Sequence, residues 1–219
     1  MNVGEFRREI ASDRPEALGE IDQVHMDIGS VVLTHHFLKK YIRGKRVVMI
    51  GDDDLMSANL SVFLEPARMV VLDIDKRILD YLRRLSLRYG SRIVARQYNI
   101  LDELPSELRG SFDFFYTNPP YGSKNEGDSC KAFISRGIEC CRVGGYGAFV
   151  IASSSESEWV RIAEEKTLEF VVKNGCRVVD SAKNFQTYDG NPIKSSAFVV
   201  QKVRQVKIDK GFLTGIQLY

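Results

Sequence analysis

The stretch RVVMIGDDDLMSANLSVFLEPARMVVLDID (residues 46–75) decides the fold. Its two apolar runs, RVVMI (46–50) and MVVLD (69–73), are continuous and not alternating. That pattern suits strands buried on both faces of a parallel sheet. Between them LMSANLSVFL reads as a helix, so the stretch is one strand–helix–strand unit.

Further strands follow on the C-terminal side: RIVARQ (92–97), FDFFYT (112–117), YGAFVI (146–151) and CRVVD (176–180). Cys130, Phe133, Ile134, Gly137, Ile138 and Cys141 recur at helical spacing, and Gly144-Gly145 is expected to end that helix. After Asp180, KNFQTYDGNP carries turn signals, and SSAFVVQKV (195–203) reads as a seventh strand. With no room for a crossover helix, that strand must lie antiparallel to its neighbour. The expected fold class is α/β, with a Rossmann-like seven-stranded sheet of six parallel strands and one antiparallel. This is the sheet of class I S-adenosylmethionine-dependent methyltransferases. Residues 1–43 are expected as a helical cap over the sheet or the substrate mouth, and 44–219 as the S-adenosylmethionine-binding catalytic domain. Together they would make one compact domain.

With 219 residues, 44% of them hydrophobic, the chain can bury a substantial core. No apolar run approaches the roughly 20 residues that span a bilayer, and the N-terminus has no apolar h-region. A cytoplasmic protein with no membrane partner is expected. The cysteines Cys130, Cys140, Cys141 and Cys176 form no CxxC pair and make no ligand set with His25, His35 and His36. Reduced core thiols and no metal are expected. Net charge is +2, and the clusters Arg83, Arg84, Arg88, Arg92, Arg96 and Lys202, Arg204, Lys207, Lys210 read as solvated faces of a helix and an edge strand. Charge neither demands nor excludes a nucleic-acid partner, and a homodimer is compatible with the sequence.

In open α/β sheets ligands bind beyond the carboxyl ends of the strands. Gly51 follows the first strand, where the backbone must approach a cofactor, and Asp73 closes the second, where a carboxylate can accept from ribose hydroxyls. Asn99 is expected to close the third and meet an adenine edge. Ile74 and Ile100 flank these positions and are assigned with them to the cofactor. Asp52, Asp53 and Asp54 occupy the places where a methyltransferase loop usually has further glycines. Three acids repel a carboxylate and attract an ammonium, although one or two could cap the following helix. After the fourth strand comes NPPY: Asn118, Pro119, Pro120 and Tyr121. Two prolines stiffen the backbone, so that the Asn118 side chain and the Pro119 carbonyl can aim at one amine and orient its lone pair. Tyr121 can stack on a planar group or a cation. The polar segment SKNEGDS (123–129) is a candidate lid.

GDDDL followed by VVLDID resembles the branched-chain polyamine synthases, the N4-bis(aminopropyl)spermidine synthases. The likeness continues through the PP motif, FISRGIE, RVVDSAKNFQTY and the pair Asp22-Gln23, over roughly residues 20–200. The resemblance implies this same fold and aminopropyl transfer from decarboxylated S-adenosylmethionine to a polyamine nitrogen, releasing 5'-methylthioadenosine. It also implies that Gly51, Asp52, Asp53 and Asp54 line the junction of donor and amine and that Asp73 holds the ribose. The family usually begins with a winged-helix-like domain, for which this sequence shows no counterpart, and usually has Asp where this chain has Asn118. An aliphatic amine is protonated near neutral pH and needs a base, which Asn is not; one of the loop acids would take the proton. NPPY also resembles amino-directed methyltransferases. The alternative is therefore methyl transfer from S-adenosylmethionine, leaving S-adenosylhomocysteine, to an exocyclic amino group of adenine (RNA, DNA or nucleotide) or to an amide. A third reading is a non-catalytic adenosyl-binding fold.

Overall fold

The computed structural model describes residues 1–153 and 157–219. Seven strands form one sheet: β1 (Arg46–Ile50), β2 (Arg68–Asp73), β3 (Ile93–Gln97), β4 (Phe112–Thr117), β5 (Cys141–Ala152), β6 (Cys176–Tyr188) and β7 (Asn191–Lys202). Their order is β3-β2-β1-β4-β5-β7-β6. β7 runs antiparallel to both neighbours while the other strands are mutually parallel, so six strands point one way and one the other. Among the described residues six α-helices accompany it: α1 (Val3–Ala11), α2 (Ile28–Ile42), α3 (Met56–Leu64), α4 (Lys76–Tyr89), α5 (Asp128–Cys140) and α6 (Glu158–Lys173). Val47, Met49, Val71 and Tyr116 pack under α1 to α4. Val48, Ile50, Leu72 and Phe115 pack under α5, α6 and the C-terminal residues Ile208 and Leu218. Burial from both sides is the reason the strands read as continuous apolar runs.

Three local expectations are corrected. Gly144-Gly145 does not end α5: the helix stops at Cys140 and both glycines lie inside β5. The helix end is satisfied by the Lys202 ammonium, which donates to the carbonyls of Ile138 (2.8 Å) and Cys141 (2.7 Å). A lysine thus does the work expected of glycine. The same contact overturns the reading of Lys202 as a solvated edge residue. It is 2% exposed, because β7 is inserted between β5 and β6 and is no edge. Finally, KNFQTY is strand and not turn. The hairpin turn is confined to Asp189-Gly190, and the irregular residues are absorbed as register shifts between Val178 and Asp180 and between Ala182 and Gln186.

Residues 1–43 fold as α1, a short 3-10 turn at Gly19–Ile21, and α2. The segment before α2 is stitched to the end of β6: Asp27 N–H donates to the Thr187 carbonyl (3.1 Å) and Asp189 N–H to the His25 carbonyl (2.9 Å). The four cysteines are free and buried. Among the described residues, no helix is long and apolar enough to cross a membrane.

Gly147 on β5 lies flat against the Phe115 ring, where an added Cβ would come within 1.9 Å of a ring carbon. Gly147→Ala is expected to cost about 3 kcal/mol of stability, since a packed core yields only by moving the ring or the strand. Urea unfolding measures it, and an unchanged midpoint would contradict the packing described.

Candidate active site

The site forms where β1, β2 and β4 end. Gly51 has φ +73°, a left-handed conformation natural to glycine, and it turns the chain out of β1. Its N–H donates to the Leu72 carbonyl (2.8 Å). The Asp73 carboxylate then ties two segments together, accepting from Asp52 N–H and Asp75 N–H, each at 2.8 Å.

The three acids of the loop have different surroundings. Asp52 accepts from the Ser57 N–H (3.2 Å) and from the Ser57 hydroxyl, and so caps α3, whose own N-cap residue Leu55 offers no side-chain bond. Asp54 is buried and accepts from Met26 N–H (2.6 Å) and the Asn118 amide nitrogen (2.9 Å). Asp53 stands at the cavity wall, and no other described residue donates a hydrogen bond to its carboxylate. Burial pushes the Asp52 carboxyl up to about 8, despite the Ser57 bonds. Burial and then the charges of Asp54, Asp73 and Asp52 raise Asp53 well above the ordinary carboxylate range. Asp54 is also raised by burial, partly offset by Arg7 and by its two donors. Asp73 is raised by burial.

One cavity is lined by Gly51, Asp52, Asp53, Asp73, Ile74, Asn118, Pro119, Pro120 and Tyr121. Asp54, Asn99 and Ile100 are not among its walls. Asp54 sits behind the loop. The third strand ends at Gln97 and not at Asn99, whose side-chain oxygen instead accepts its own segment's Leu101 N–H (3.0 Å). Ile100 is buried in the core near α5. The Asn118 amide is also arranged differently from the expectation that its oxygen and the Pro119 carbonyl aim together at an amine. Its nitrogen faces Asp54, and its oxygen accepts from the Tyr188 hydroxyl (3.2 Å).

Further walls come from residues that local sequence did not mark as functional: Phe133, Trp159, Tyr188, Asn191, Ile193 and Tyr219, with Ile21, Asp22, Gln23 and Val24 at the N-terminal side. Of these, Asp22-Gln23, Phe133 (in FISRGIE) and Tyr188 (in RVVDSAKNFQTY) carried a signal, through the stretches of the family resemblance alone. The segment 123–129 is not a free flap. Asn125 donates to the Gln217 carbonyl (2.8 Å) and Ser129 to the Leu218 carbonyl (2.7 Å), and α5 already begins at Asp128. The described walls carry four carboxylates (Asp22, Asp52, Asp53 and Asp73) and neither lysine nor arginine. Such a cavity favours a cationic ligand.

Residues 3–215 match the family model "Branched-chain polyamine synthase A C-terminal domain". An N(4)-bis(aminopropyl)spermidine synthase of Thermococcus kodakarensis is 30% identical over 189 residues, covering 83% of this chain and 51% of that protein. An rRNA N(6)-adenosine-methyltransferase of Caenorhabditis elegans is 28% identical over 120 residues, covering 53% of this chain and 56% of the other. The chain spans about half the length of the curated polyamine synthases it matches. Among solved structures, the branched-chain polyamine synthase from Thermus thermophilus, in complex with N4-aminopropylspermidine and 5'-methylthioadenosine, superposes with TM-score 0.83 at 22% identity, covering 98% of this chain and 67% of that one.

The buried acids imply a pH dependence of stability. The unfolded chain releases the Asp52 proton near 3.8, the folded chain near 8. Between those values the folded state binds more protons, so this group's contribution to stability falls as pH rises. His25 and His35, which burial lowers to about 4, work in the opposite sense, but only up to their ordinary value of 6.5. From pH 7 to 8 this carboxyl alone is expected to withdraw about 1 kcal/mol from the stability of the free protein, and Asp52→Asn to remove that part of the slope. Equal slopes in urea unfolding of the two proteins would show that Asp52 ionises normally.

Proposed function

The chain belongs to the branched-chain polyamine synthase A C-terminal domain family, and from that premise we propose that it transfers an aminopropyl group from decarboxylated S-adenosylmethionine to a nitrogen of a polyamine-like amine. The observation that carries this reading is the cavity wall of four carboxylates without a described basic residue. An ammonium beside Asp52 and Asp53 favours their ionised forms and pairs with them, whereas the carboxylate of S-adenosylmethionine would press their protons on further and find no cation among the described walls. The decarboxylated donor and a polyamine are both purely cationic. Support also comes from the Thermus structure in complex with N4-aminopropylspermidine and 5'-methylthioadenosine, and from the N(4)-bis(aminopropyl)spermidine synthase of T. kodakarensis.

In this reading residues 44–219 bind donor and acceptor, and residues 1–43 close one side of the site. Asp73, with Ile74, takes the ribose end beside the Gly51 turn. Pro119, Pro120 and Tyr121 form the wall facing the reacting carbon, and Asn118 holds Asp54. Bound there, the sulfonium donor supplies an electrophilic carbon whose bond to sulfur breaks as the amine nitrogen bonds to it, leaving 5'-methylthioadenosine. The chain's task is then to orient the amine and take its proton. Asp53 is the loop acid best placed for that. It is at the wall, is uncommitted to another donor, and has its proton affinity raised by burial and neighbouring carboxylates, which suits a base working on an ammonium.

A second reading, methyl transfer to an adenine amino group in nucleic acid or nucleotide or to an amide, is favoured by NPPY and the adenosine-methyltransferase relative.

The deciding measurement is calorimetric binding of the two donors side by side, followed by detection of 5'-methylthioadenosine when spermidine is added. Preferential binding of the decarboxylated donor and release of the thioether are expected. Preference for S-adenosylmethionine, with S-adenosylhomocysteine formed on an adenine acceptor, would replace this reading by the second. Asp53→Asn is expected to lower kcat by about 10²–10⁴ with donor affinity retained within a few-fold. Full activity in that variant would remove Asp53 from the proton path.

A further inference from the structure

Behind Asn118 the hydrogen bonds form a chain with a defined direction. The Thr34 hydroxyl gives its one proton to the Ser30 carbonyl (2.8 Å), so it can only accept from the Gln186 amide nitrogen (2.7 Å). Gln186 therefore turns its oxygen to Ser195, whose hydroxyl donates to it at 2.8 Å. Ser195 Oγ, its proton committed, is left as an acceptor for the Tyr188 hydroxyl at 3.0 Å. That same hydroxyl reaches Asn118 Oδ1 at 3.2 Å and accepts from the Tyr121 hydroxyl. Thr34, Gln186 and Ser195 are fully buried, so water does not compete for these groups. At the far end the Asn118 NH2 donates to Asp54 Oδ2 at 2.9 Å. A carboxylate can only accept, and turning the amide round would set oxygen against oxygen.

We propose that Tyr188 is a specificity-determining positioning residue: by engaging the Asn118 oxygen it keeps the amide's NH2 on Asp54, which selects a cationic aliphatic amine over a planar, uncharged amino group. The inference rests on the reading of this cavity as the place where an amine nitrogen reacts. A planar amino group has to be oriented by acceptors aimed at its two N–H bonds. With its oxygen turned to Tyr188, Asn118 is not free to be one of them. An ammonium needs a carboxylate to take its proton, and Asp53 remains at the wall for that purpose. Tyr188 has one proton for two acceptors, Ser195 Oγ and Asn118 Oδ1, so removing either bond changes the other.

Two substitutions should therefore act in opposite senses. Tyr188→Phe removes the donor to the Asn118 oxygen. Ser195→Ala removes the competing acceptor and leaves the whole Tyr188 proton to Asn118. In the ligand-free, ¹⁵N-labelled full chain, the Asn118 side-chain NH2 pair is the one absent from the Asn118→Ala spectrum. We expect its nitrogen shift to move in opposite directions in Tyr188→Phe and Ser195→Ala, a result that mere loosening of the hairpin would not give. With decarboxylated donor and spermidine, Tyr188→Phe is expected to lose about tenfold in kcat while KM for the donor changes less than about twofold. Its ratio of methylation of an adenosine-containing RNA to aminopropylation of spermidine should rise. Shifts that are absent or of one sign, with an unchanged acceptor ratio, would overturn the role of Tyr188. Opposite shifts in a wild-type protein that transfers nothing to spermidine would keep the amide's orientation and instead sink the aminopropyl reading.

Discussion

Three consecutive carboxylates placed where water is scarce are the constraint around which this molecule is organised. Removing an ion from water costs several kcal/mol even after relaxation, and like charges at neighbouring positions add to it. The chain meets that cost with donors and not with a salt bridge. Ser57 takes Asp52, Met26 N–H and Asn118 take Asp54, and the Asp52 backbone is itself held by Asp73. What stays unmet is Asp53, at the cavity wall. An uncommitted carboxylate of raised proton affinity at the cavity wall is open to a ligand, whereas its two neighbours are tied by hydrogen bonds to Ser57, Met26 and Asn118.

Satisfying Asp54 sets the geometry of more remote parts. Met26 has to bring its N–H to the loop, so the segment before α2 is pinned between the acid loop and the end of β6. The Met26–Tyr188 bridge, with the hydrogen bonds at Asp27 and Asp189, does the pinning. That in turn carries Tyr188 to Asn118, and the β6–β7 hairpin thus becomes a wall of the site as well as the close of the sheet. The antiparallel β7 contributes Ser195 to the same network from one end and the buried Lys202 to the end of α5 from the other. Sheet topology and site chemistry are in this way coupled through a single strand.

Much of this was legible from residue order. Runs such as RVVMI and MVVLD are apolar at every position because both faces of the sheet are covered, and local pattern reports burial directly. The absence of a helix before the last strand dictated its direction. GDDD and NPPY were recognisable because ligand sites of open α/β sheets lie beyond the carboxyl ends of strands, which made position along the chain a guide to position in the site. The acid run, set against the glycines usual at that place, pointed to a cationic ligand through residue type alone, because charge needs no partner to declare its sign.

Tertiary structure alone decided which acid is tied to which donor, which way the Asn118 amide faces, and that Asn99 is not among the cavity walls. The partners concerned are far apart in sequence: Asp54 meets Met26 across 28 residues and Asn118 across 64, and Tyr188 meets Asn118 across 70. Periodicity encodes how deeply a residue is buried, not which distant donor arrives beside it. Lys202 makes the same point. Its neighbours in sequence suggest a solvated basic edge, but insertion of β7 between β5 and β6 puts its ammonium on the last carbonyls of α5, where only the folded chain brings a charge and its acceptors together.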